Sequence, residues 1–131
     1  MAIKLDSINL FVSDMKNTLS FYETLGLKFS SEDFAKDYVK KEYNSVALCF
    51  YTKKIVKDFF NNLNITNSIN NSYELSFRVD NKEDVDSIYN KLVKKGYKSI
   101  KDPENSSWNQ RVAFVHDPDN NLIEICAFLK T

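Results

Sequence analysis

Histidine and tryptophan occur once each in this chain, and glycine, proline and cysteine twice each. Each scarcity narrows the chemistry. One histidine, His116, and two cysteines, Cys49 and Cys126, lie too far apart in sequence for a close Cys/His cluster. A structural zinc site is therefore not expected. Neither sign of charge dominates, with 18 basic against 18 acidic residues, so no net field draws the chain to nucleic acid or to an anionic membrane surface. No apolar run approaches the ~20 residues of a membrane helix. The opening residues, from Ala2 to Asp6, lack the apolar core of a signal peptide, and a cytoplasmic location is expected. In that compartment two cysteines within apolar runs read as buried free thiols rather than a disulfide. Arginine is also scarce: Arg78 and Arg111 stand against sixteen lysines.

What is present suits one domain with a real core. The chain has 131 residues, is 43% hydrophobic and 27% charged, and holds 10 Phe and 7 Tyr. Its clearest stretch is the last. Phe114-Val115-His116 and Leu122-Ile123-Glu124-Ile125-Cys126 flank Asp117-Pro118-Asp119-Asn120, a run of turn formers, so residues 114–126 read as a β-hairpin. Alternation puts Leu122, Glu124 and Cys126 on one face and Ile123, Ile125 and Ala127 on the other, so Glu124 points away from the more apolar face.

Earlier segments follow the same logic. Ile8, Leu10 and Val12 alternate with Ser7, Asn9 and Phe11 in a half-buried strand. Ser13-Asp14 offers a cap for an amphipathic helix carrying Leu19, Phe21, Tyr22 and Leu25, which Gly26 ends. Strands are expected from Leu27-Lys28-Phe29 and over residues 36–43 and 45–52. Ile55, Val56, Phe59, Phe60 and Leu63 predict a helix over 53–63, and the polar run from Asn64 to Ser72 reads as a linker. The pattern then restarts: a strand over 74–79, a helix closed by Gly96, a strand over 97–101, a turn at Asp102-Pro103-Glu104-Asn105, and the closing hairpin. Ser7 matches Glu74, Val12 matches Val79 and Tyr22 matches Tyr89 at a constant offset of 67. The expected architecture is α+β: two tandem βαβββ modules, about 1–52 and 73–131, joined by a helical linker at 53–72. Together they would form a curved mixed sheet whose second faces make a cleft of mixed polarity for a small molecule.

This order resembles the vicinal oxygen chelate superfamily of glyoxalases, bleomycin-resistance proteins and extradiol dioxygenases. The resemblance rests on Ile8-x-Leu-x-Val-x-Asp14 with Phe21-Tyr22-x-x-Leu-Gly26-Leu27, and on Asp117-Pro118-Asp119-x-x-x-Ile-Glu124, and it covers nearly the whole chain. It implies a homodimer with sites in the sheet clefts. Carried over by position, the family's metal ligands fall on Ser7, Leu48, Glu74 and Glu124, where three commonly hold His, Glu and His. Only Glu124 is retained, and Glu74 substitutes a carboxylate. Such a set suits at most loosely held Mg²⁺ or Mn²⁺, since Lewis-acid work needs about three protein ligands.

The expected metal ligands are therefore Glu74 and Glu124, with Glu124 also the one catalytic candidate. Asn9, Phe11, Leu48, Phe50, Ser76, Arg78, Trp108 and Arg111 are the candidates to line a ligand site. Phe11, Leu48 and Phe50 are read onto one cleft face by alternation. Arg78 could clamp an anion, with a surface ion pair as the plainer reading. Trp108 and Arg111 belong to a run similar to the Trp-Gly-Gln-Arg that precedes the family's closing hairpin. His116 is read as a solvent-exposed hairpin residue rather than a general base. The resemblance implies a protein that captures a small, partly apolar molecule between aromatics. The alternatives are a metal-dependent lyase or isomerase acting on a vicinal dioxygen substrate and, more weakly, a thiol transferase.

Overall fold

The computed structural model describes residues 2–60, 63–65 and 69–130. The order is β1 (Ser7–Val12), α1 (Met15–Leu25), a 3-10 helix (Ser31–Ala35), β2 (Tyr38–Glu42), β3 (Ala47–Thr52), α2 (Lys53–Phe59), β4 (Asn70–Arg78), α3 (Lys82–Lys94), β5 (Ser99–Asn105), β6 (Gln110–His116) and β7 (Asn121–Phe128). This is a mixed α+β fold with one sheet of three strands, β1-β3-β2, and one of four, β4-β7-β6-β5. None of the described helices is long and apolar enough to cross a membrane.

The chain divides into two compact units, Met1–Ser20 with Lys28–Thr66, and Phe21–Leu27 with Asn67–Thr131. The internal repeat is visible in both. In each sheet the first strand runs parallel to the last: β1 to β3 in one, β4 to β7 in the other. Helices α1 and α3 also end alike. Leu27 and Tyr97 donate their N–H groups to the carbonyls of Tyr22 and Leu92, five residues back, and Gly26 and Gly96 take positive φ values of 133° and 97°. That closure needs a backbone without a Cβ penalty. At its start, α1 is capped as expected, the Asp14 carboxylate accepting from the Asn17 N–H at 3.1 Å.

The first module lacks one expected strand. Leu27-Lys28-Phe29 stays outside the sheet because a 3-10 helix forms just after it. The Ser30 N–H donates to Asp33 Oδ2 at 3.0 Å and Lys36 pairs with Asp33 Oδ1 at 3.0 Å. Phe29 instead sets its ring against Phe50 and Phe34. In the second module the expected turn at 102–105 is part of β5. This strand lies at the sheet edge, where Pro103 costs no ladder hydrogen bond. The turn comes later, where the Ser106 N–H meets the Gln110 carbonyl at 2.7 Å and Asn109 adopts a φ of 64°. Helix α2 is shorter than the expected 53–63, and β4 begins inside the expected linker. The parts of those two segments at 61–62 and 66–68 lie outside the described residues.

The core of the second unit lies under α3. Val85, Tyr89 and Leu92 are buried, as are Ala113, Val115, Ile123, Ile125 and Ala127 on one face of β6 and β7. Fully burying a Val, Leu or Ile side chain contributes about 1.5–3 kcal/mol. Phe21 sets its ring edge-on to Tyr97 at 4.9 Å in the same unit. Cys49 and Cys126 are free and buried.

Candidate functional site

In the first unit, register decides which side chains share a face. Ser7, Asn9 and Phe11 pair with Ala47, Cys49 and Tyr51, whereas Ile8 and Leu10 pair with Leu48 and Phe50. Leu48 and Phe50 therefore lie on the Ile8/Leu10 face, away from Phe11, which corrects the grouping read from alternation. The reason is physical. β3 is the central strand of its sheet, and Ala47, Leu48, Cys49 and Phe50 are all buried. A continuous apolar run carries no parity signal.

The residue on the Phe11 face is Tyr51, their rings 6.4 Å apart and nearly perpendicular. Helix α2 follows β3 directly and completes a hollow. Asn9, Phe11 and Tyr51 from the strands, with Ile55, Val56, Phe59 and Phe60 from α2 and its end, enclose a cavity of about 420 Å³. No charged side chain lines it. Sequence reasoning found Asn9 and Phe11 and missed the rest. The signal was present in the spacing of Ile55, Val56 and Phe59, read only as a helix with no assigned cover.

In the second unit, Glu74, Ser76 and Arg78 lie on β4 beside Leu122, Glu124 and Cys126 on β7. This face is opposite the one under α3. Glu124 is 8% exposed, and Ser76 Oγ donates to its Oε1 at 2.5 Å. Ser76 Oγ is also 3.6 Å from Cys126 Sγ. Glu74 is exposed, and partial burial followed by the charge of Glu124 raises its carboxyl above the usual range. Burial pushes the Cys126 thiol up as well, so it is no thiolate nucleophile at neutral pH. Arg78 makes no ion pair with Glu74. Its guanidinium lies over the Phe128 ring, 5.1 Å from the centroid.

Two candidates sit elsewhere. Arg111 is on the α3 side of β6, where its Nε and Nη2 hold both oxygens of Asp86 at 2.9 and 2.8 Å and its Nη1 donates to Asn105. It ties α3 to the sheet rather than facing a ligand, a correction that follows from its pairing with Ala127. Trp108 is 61% exposed in the 106–109 turn, its indole N–H donating to Gln110 Oε1 at 3.0 Å. His116, expected at the surface, is 3% exposed. An irregularity in the β4 register between Asn70 and Glu74 accompanies the contact that covers it, Asn71 Oδ1 at 3.1 Å from Nε2.

Among the described residues no three His, Cys, Asp or Glu side chains gather as a metal site. The β4–β7 face offers two carboxylates, one of whose oxygens already accepts from Ser76, and a thiol raised by burial. Three basic donors with an open position are not assembled there, so a catalytic transition metal does not fit this face.

Two mixed sheets of repeated topology, each with its first strand parallel to its last, define a glyoxalase-type fold. The chain belongs to the Glyoxalase/Bleomycin resistance protein/Dioxygenase superfamily, whose family model matches residues 4–125. It is 30% identical to YraH of Bacillus subtilis (strain 168), itself labelled uncharacterized, over 97% of this chain and 100% of that one. A glyoxalase-related enzyme from Fulvimarina pelagi superposes with a TM-score of 0.78 at 19% identity, covering 96% of this chain and 88% of that one. A family enzyme from Burkholderia phytofirmans PsJN does so with a TM-score of 0.72 at 21% identity, covering 97% and 100%. At these identities the two structures speak to the fold alone.

Proposed function

We propose that this protein captures a small, partly apolar molecule in the hollow between the β1–β3 face and α2, without the family's full metal set. The observation that carries this reading is the cavity itself. Its volume of about 420 Å³ suits a ligand of one or two rings, and Phe11, Tyr51, Phe59 and Phe60 supply aromatic walls. Asn9 is the polar side chain among the lining residues best suited to orient it. Phe59 is 79% exposed at the rim, where a ligand would cover it.

The test is titration with the neutral fluorescent probe N-phenylnaphthylamine. Saturable binding is expected, weakened about tenfold by Phe59→Ala, as the loss of one aromatic contact implies. Non-saturable fluorescence, or equal binding by wild type and Phe59→Ala, would overturn the reading.

A second reading, a lyase or isomerase dependent on Mg²⁺ or Mn²⁺, has one observation in its favour. Glu74 and Glu124 repel each other, and a hard cation beside them would relieve that repulsion. Calorimetric titration with Mn²⁺ tests it: a stoichiometric heat abolished by Glu124→Gln supports the enzyme, and no heat supports passive capture.

A further inference from the structure

Asn9 is out of keeping with the hollow it lines. Around it the lining is aromatic or aliphatic, from Phe11 and Tyr51 on the strands to Ile55 and Phe60 beyond them. Alternation along β1 turns the Asn9 side chain to the same face as Phe11, and register sets it beside Cys49. The Cys49 thiol lies 3.9 Å from the Tyr38 hydroxyl, and Tyr51 sets its ring against Tyr38 at 4.7 Å. Among the described residues the Asn9 carboxamide has no hydrogen-bond partner. Asn9 is exposed, so its donor and acceptor are left to solvent.

A molecule that fills the hollow takes that solvent away. An apolar surface laid over Asn9 leaves an N–H donor and a C=O acceptor unpaired, which costs more than one ordinary hydrogen bond returns. A lone hydroxyl reaches one of the two at a time. A neighbouring donor and acceptor on the ligand's edge satisfy both, as an asparagine side chain matches the edge of adenine. Charge is excluded on separate grounds. No charged side chain lines the hollow, and Lys40, a cation on the same sheet face, is paired to Glu42 at 3.2 Å. An ion between Phe11 and Phe59 would lose its hydration without gaining a counter-charge.

Granted capture in this hollow, we propose that the captured molecule is an uncharged aromatic whose edge carries an adjacent donor and acceptor, as a lactam or carboxamide does. Asn9 Oδ1 accepts from the ligand's N–H and Asn9 Nδ2 donates to its C=O, while the rings lie among Phe11, Tyr51, Phe59 and Phe60. The aromatic walls supply affinity for any flat apolar molecule, and Asn9 sets which one is preferred.

Three probes test it: isoquinolin-1-one, with an N–H beside a C=O; isoquinoline, the same rings with an acceptor alone; and 1-naphthoate, which carries a charge. Each is titrated near neutral pH. The Ile55 and Val56 methyl signals report occupancy of the hollow, and the Asn9 side-chain amide signals report the hydrogen bonds. Saturable shifts are expected, with isoquinolin-1-one about tenfold tighter than isoquinoline and 1-naphthoate at least about tenfold weaker than isoquinoline. Asn9→Leu is expected to bring isoquinolin-1-one to the affinity of isoquinoline. Methyl shifts that saturate equally for these two probes, or a preference that survives Asn9→Leu, overturn the amide edge and leave capture standing. Tightest binding by 1-naphthoate overturns the uncharged class. Methyl signals that move with none of the three overturn capture and this proposal together. The probe comparison in the unaltered protein is decisive even where Asn9→Leu fails to fold.

Discussion

His116 shows how one side chain can be misjudged from its position and then understood from its neighbours. It closes β6 next to a turn, where exposure is the plain expectation. In the fold its Nε2 is 3.1 Å from Asn71 Oδ1, and its Nδ1 is buried without a partner among the described residues. The hydrogen bond assigns the proton to Nε2, and adding a second at Nδ1 would bury an unsatisfied charge. Burial lowers its pKa below 6.5, Lys98 lowers it further, and Asp117 opposes both. A depressed folded-state value means that the unfolded chain takes up the proton first. Stability is then full above about pH 6.5 and declines as pH falls below it. The expected outcome is a urea midpoint that drops between about pH 8 and pH 5, with a shallower drop in His116→Leu. Identical slopes in the two proteins would contradict the buried neutral ring.

At the scale of elements, the closing hairpin is held by one carboxylate. Asp117 is buried and accepts from the Asp119 and Asn121 N–H groups and Asn121 Nδ2, each at 2.9 Å, and from the Tyr22 hydroxyl at 2.7 Å. Tyr22 belongs to the last turns of α1, so the second unit takes in the end of a helix that begins in the first. Burial, then the charge of Asp117, holds the Tyr22 phenol well above 10, which keeps it a donor. Tyr22→Phe removes that donor and leaves Asp117 three others. A stability loss of about 1–2 kcal/mol is expected in urea denaturation. A change within a few tenths would mean that the turn is self-sufficient. The turn residues and Tyr22 were both legible as parts of separate elements. Their junction was not, because 95 residues separate the two partners.

For the molecule as a whole, we propose the homodimer that family membership suggests. Light scattering is expected to give the mass of two chains, with little dependence on salt, because the 18 basic and 18 acidic residues leave no net charge to screen. A one-chain mass at micromolar concentration would refute it. The strand expected at 27–29 and the turn expected at 102–105 aside, the amino-acid sequence by itself determined most strands and helices, the α1 cap, the paired glycine stops and the closing hairpin. These depend on interactions within about five residues and on simple periodicity, which repeat 67 residues apart. Tertiary structure alone decided that Tyr51 rather than Phe50 stands beside Phe11, that Arg111 belongs to Asp86, that Arg78 lies on Phe128, and that His116 is enclosed. Each of those outcomes depends on which strand or helix lies alongside. A strand covered on both faces, or a charge whose partner lies far along the chain, leaves no local trace of its neighbour.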